Sequence, residues 1–170
     1  MYGTPLISYT LPSNASEFTI SGISQSYKHL YIVWSSRQAA DDFGPQSLWF
    51  YNDNKSPGGN YGNTAQMHYE GAQQGFAYGP ESYIRQRLSA RTSAGSGIWN
   101  IHRTLIPNYS SGSTHKTILA DIVGLWAPIT LTTGLIINCW AVNDAMSSIR
   151  FGSNWGPLQA GNFVAIYGVD

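Results

Sequence analysis

The sequence predicts an all-β fold, an antiparallel two-sheet sandwich of jelly-roll type, on three observations. Apolar residues recur at i, i+2; Gly or Pro interrupts almost every run before a helix could reach three turns; and clusters of turn residues separate the runs at short, regular intervals. Hydrophobic residues make up 42% of the 170 and aromatics 14%, enough apolar surface to offset the entropy of ordering one core. Residues 1–170 therefore read as a single β-sandwich domain, with no internal repeat, heptad region or linker.

In chain order the alternation predicts strands at Pro5–Thr10, Glu17–Ile20, His29–Arg37, Ser47–Tyr51, Ala65–Glu70 and Tyr83–Arg91, then at Ile98–Ile106, His115–Val123, Leu135–Val142, Ser148–Gly152 and Asn162–Tyr167. His29–Arg37 sets Leu30, Ile32 and Trp34 on one face. Ile98–Ile106 sets Trp99, Ile101 and Leu105 against Asn100, His102 and Thr104, so the first group reads as the dry side. Leu135–Val142 is apolar on both faces, which fits a central strand covered on both sides or one buried between protomers. Turn chemistry fills Asn52–Asn60, Ser93–Gly97 and Ser110–Ser113.

Charged residues are scarce, 11% against about 25% in an ordinary soluble domain, so Ser, Thr, Asn, Gln, Gly and Tyr must cover the surface. Such a surface loses little desolvation energy on docking, which favours an assembled protein over a lone enzyme. Nine basic and nine acidic residues cancel and no basic run occurs, so nucleic acid is not an expected partner. Cys139 is the only cysteine, which excludes an internal disulfide and a cysteine-rich zinc site. No signal peptide and no apolar run approaching the ~20 residues of a membrane span is visible, so no membrane partner is expected and the Asn-x-Ser triplets at Asn14, Asn54 and Asn108 carry no weight as glycosylation sites.

Four stretches carry a resemblance. They are Phe18–Leu30 with the strand ending at Ser35-Ser36-Arg37; Leu48-Trp49-Phe50-Tyr51-Asn52-Asp53 with Asn60-Tyr61; His115-Lys116-Thr117-Ile118-Leu119; and Ser148-Ile149-Arg150-Phe151 with Gly161–Val169. In this order and over most of the chain they resemble the small β-sandwich proteins and C-terminal domains encoded among the virion genes of tailed phages. Ser24 stands where that family has Pro, Asn52-Asp53-Asn54 lacks its usual Gly, and Ala160-Gly161-Asn162 replaces a Gly-Ser, departures that touch turns more than the fold. The resemblance implies a virion protein made in the host cytoplasm. It would be a capsid decoration (cement) protein or a tail-fibre tip, and a homo-oligomer, with a trimer as the expected form.

No arrangement for catalysis stands out, and neither an enzyme nor a cofactor is expected. No Gly-x-Ser-x-Gly elbow occurs, Cys139 reads as core filling, and Glu17, Glu70, Glu81 and the six Asp form no evident acid–base pair. Asn52-Asp53-Asn54 with Gly58 and Gly59 offers oxygen ligands of the kind calcium takes, but no acidic residue closes the loop, so a plain turn is the simpler reading. His29, His68, His102 and His115 lack zinc spacing and read as polar-face strand residues. The candidate interface residues are the Arg stripe Arg85, Arg87 and Arg91, which is either a solvated outer face or a docking stripe, and the loop aromatics Tyr61, Tyr78, Tyr109 and Trp155.

The expected function is thus a decoration protein that binds and stabilises the major capsid shell. The alternative is a receptor-binding or carbohydrate-binding tail-fibre module whose loop aromatics stack on sugars. Strand patterning that begins within the first ten residues, with no shaft or coiled coil before it, favours the first.

Overall fold

A computed structural model of the chain describes residues 3–39, 48–52, 61–69, 72–81, 84–85, 90, 97–127, 130–141, 143–154 and 156–170. The alternation becomes β1 (Ile7–Thr10), β2 (Glu17–Ser21), β3 (His29–Ser36), β4 (Leu48–Asn52), β5 (Tyr61–Tyr69), β6 (Ala72–Glu81), β7 (Ile84–Arg85), β8 (Asn100–Ile106), β9 (Lys116–Ala127), β10 (Thr130–Trp140), β11 (Ser148–Ser153) and β12 (Phe163–Val169). Among the described residues one sheet has eight strands in the order β1-β12-β3-β8-β9-β10-β5-β6, the other four in the order β2-β11-β4-β7, and pairing between these strands is antiparallel. The two antiparallel sheets bear out the predicted sandwich; their division into eight and four differs from the eight strands of a simple jelly roll. No helix among the described residues is long and apolar enough to cross a membrane.

The core is the seam between the sheets. From the large sheet come Leu30, Ile32 and Trp34 of β3, Val164 and Ile166 of β12, Ile106, Ile118 and Trp140; from the small sheet come Phe18 and Ile20 of β2 and Ile149 and Phe151 of β11. Phe18 stacks between Tyr9 and Phe151, with ring centroids 5.2 Å away on each side, and Trp34 meets Phe151 edge-on at 5.1 Å. Rings in these offset and T-shaped arrangements add attraction beyond the area they bury.

Polar clips close the ends of the seam. Asn162, fully buried, accepts a hydrogen bond from Trp34 Nε1 at 3.2 Å and donates its amide to the Arg37 and Gln159 carbonyls, both at 2.7 Å. Arg37, 5% exposed, donates to Gln159 Oε1 at 2.6 Å and to the Ile98 carbonyl at 2.9 Å. Asn108 turns the chain after β8 with φ 52°, a left-handed conformation that Asn tolerates, and its N–H donates to His29 Nδ1 at 3.1 Å.

Three expectations change. β6 is absent from the predicted strands because its sequence, AQQGFAYGPE, shows neither alternation nor β-branched residues; its ladder with β5 supplies the pairing instead. Strand β8 is turned over: Asn100, His102, Thr104 and Ile106 are buried, while Ile101 is 38% exposed and Arg103 is also exposed. Cys139 is exposed on β10, on the face opposite Trp140, and does not fill the core.

Candidate functional site

The inversion of β8 follows from what its polar side chains bond to inside. Asn100 Oδ1 accepts the Leu125 N–H at 2.9 Å, continuing the ladder where β8 stops, and His102 Nε2 lies 2.8 Å from Ser36 Oγ. Both members of that His–Ser pair are within 1% of complete burial, so it works as a core hydrogen bond beyond the reach of a solvent-borne substrate. Because pleated strands alternate, fixing Asn100, His102 and Thr104 inward sends Ile101, Arg103 and Leu105 outward.

Strands β9 and β10 present the same kind of outer face. Lys116, Ile118, Ala120 and Ile122 of β9 and Ile136 and Trp140 of β10 point inward and are buried. Leu119, Val123, Leu131, Leu135 and Ile137 point outward and, with Ile101, are 38% to 61% exposed. Register makes them contiguous: Leu119 lies opposite both Ile137 and Leu105, Val123 opposite Ile101, and Leu125 opposite Leu131. The six most exposed residues offer roughly 500 Å² of aliphatic surface, at the upper end of what a free monomer usually shows.

One ion pair sits within this apolar field. The Arg103 guanidinium donates to Asp121 Oδ2, through Nε at 2.9 Å and also through its terminal nitrogen. The two residues are cross-strand neighbours, and Asp121 also lies opposite Leu135. Two shallow hollows flank Leu135: one of about 160 Å³ edged by Tyr31, Arg103, Leu105 and Leu119, and one of about 310 Å³ over Thr133 and Gly134 with Gln66 at its margin.

The residues singled out from sequence fall elsewhere. Tyr109 is fully buried, with its hydroxyl donated to the Ser24 carbonyl, so it is a core residue and not a loop contact. Burial pushes its phenol above its ordinary value of 10.0. Tyr61 and Tyr78 belong to strands β5 and β6 and not to loops; Tyr61 pairs with Trp140 and Tyr78 with Asn63. Arg85 lies in β7, opposite Trp49, at the edge of the small sheet. Arg87, Arg91 and Trp155 lie outside the described residues, as do Asp53 and Asn54 of the candidate calcium loop, and among the described residues no three His, Cys, Asp or Glu side chains gather as a metal site.

His102 is buried, unlike the polar-face role read for the histidines. Lys116 is buried as well, its ammonium donating to the Ser111 and Thr114 carbonyls above the Trp140 ring, and burial lowers its pKa. The residues missed from sequence are the six outward aliphatics. The signal that could have found them was the two-faced apolar pattern of Leu135–Val142: the core covers one face of β10, and nothing within the described chain covers the other. No family model, curated protein or solved structure matches this chain.

Proposed function

We propose that the chain is a structural protein of a tailed-phage particle, a capsid decoration protein that binds the major capsid shell as a small homo-oligomer. The observation that carries its assembly role is the aliphatic outer face of β8, β9 and β10, which is contiguous and lies at the upper end of what a free monomer shows, as a docking surface does. The virion setting rests on the four sequence stretches that resemble phage β-sandwich proteins. The sparse charge supports the same reading, because a surface of Ser, Thr, Asn and Tyr is cheap to desolvate against a neighbour. A ligand that binds the closed shell and not its free subunits stabilises the shell by mass action.

Immunogold electron microscopy of intact particles tests this. Label over the head surface is the expected result. Label on the tail would move the chain to the fibre or receptor-binding class, and particles without label would remove it from the virion altogether.

A further inference from the structure

The outer face of β8, β9 and β10 combines a projecting side chain, a hollow and a pair of opposite charges. Leu135 projects, half exposed, beside a hollow of about 160 Å³, and Arg103 and Asp121 place one charge of each sign within the same apolar field. We infer that this face is closed by another copy of the chain, Leu135 of one copy entering the hollow of the next and Arg103 of one meeting Asp121 of the other. The inference rests on the proposed function only in taking the chain to be an assembly subunit.

Charge and area both point to a copy of the chain. Arg103 and Asp121 pair within the chain, so the face has no net charge; a partner surface of a single sign would set a like charge against one of them, whereas a second copy brings a charge of each sign. The aliphatic area of roughly 500 Å², with Arg103, Asp121, Gln66, Thr117 and Thr133 around it, approaches the ~800 Å² that each partner buries in a standard stable interface. An assembly subunit must also persist free until its other partners are available, and a patch of this size would then be covered first by the most abundant matching surface, its own.

Sedimentation velocity and light scattering on the full chain read the outcome. The wild type should run as a multiple of 18.6 kDa, and Leu135→Asp should run as a single chain with an unchanged far-ultraviolet circular dichroism spectrum. Cys139 shares this face, so maleimide should label the wild type about tenfold more slowly than Leu135→Asp. Arg103→Asp and Asp121→Arg should each weaken association, and mixing the two variants should restore it as a mixed assembly; this pair keeps the test decisive should Leu135→Asp misfold.

A wild type that is monomeric with Cys139 freely labelled overturns the inference, as does an oligomer indifferent to all three substitutions. Binding to heads is read separately. A monomer that still decorates heads would sink the self-association, and with it the homo-oligomeric form, while leaving the shell-binding role standing; an oligomer formed through this face that binds no particle would do the reverse.

Discussion

Asn162 shows how much a single side chain carries in a chain poor in charge. Its side chain ties the Trp34 indole and the Arg37 N–H of the β3 end to the turn before β12, accepting from both at Oδ1 and donating to the Arg37 and Gln159 carbonyls. Asn162→Ala would leave the buried indole N–H unpaired and strip the Arg37 and Gln159 carbonyls of one of their two hydrogen bonds each, and should cost about 2 kcal/mol in urea denaturation. Tyr109 gives a pH signature. Its folded pKa lies above the unfolded value of 10.0 because burial disfavours the phenolate, so its contribution is complete below pH 10.0 and is lost as pH rises from there through the folded pKa. Denaturation measured at successive pH values past 10.0 should show stability falling more steeply in the wild type than in Tyr109→Phe, which lacks the ionisable group. Sequence could not separate this tyrosine from the surface ones, because the Pro107-Asn108 turn that swings it inward looks like any loop.

At the scale of the element, legibility depended on whether polarity and burial agreed. They agree in β3, where Leu30, Ile32 and Trp34 line the core as their spacing predicts. They disagree in β8, where hydrogen bonds hold Asn100 and His102 inside and the hydrophobic pattern points the wrong way. Gly124 of β9 is part of that arrangement: a Cβ there would stand 2.0 Å from Asn100 Oδ1. Gly124→Ala should therefore destabilise the fold by about 2 kcal/mol. The same substitution in an Asn100→Ala background should cost markedly less, and the double-mutant cycle reports the difference as coupling between β8 and β9. Strand β6 was illegible for another reason, since its place is set by its partner β5 and not by its own Gly-rich composition.

For the whole molecule, a four-stranded sheet faces one of eight, and the larger sheet's far side is left to find its own cover over β8, β9 and β10. Composition signals this in part: few charges imply contact with neighbours, but residue type alone points to the arginines and loop aromatics and not to the outward aliphatics. If copies cover these aliphatics, the wild-type thermal midpoint should rise with protein concentration, while that of Leu135→Asp should stay constant in the same calorimetric series.

The pairing of β1 with β12 has a mechanical consequence. These strands run antiparallel, with Ile7 beside Ile166, so the chain enters and leaves the large sheet at the same end of one ladder. Tension applied through the two ends would load those rungs one after another, as in a zip, and not all together in shear. The molecule should therefore open at low force when pulled by its termini, and resist far more when gripped at points where the load is shared across several rungs.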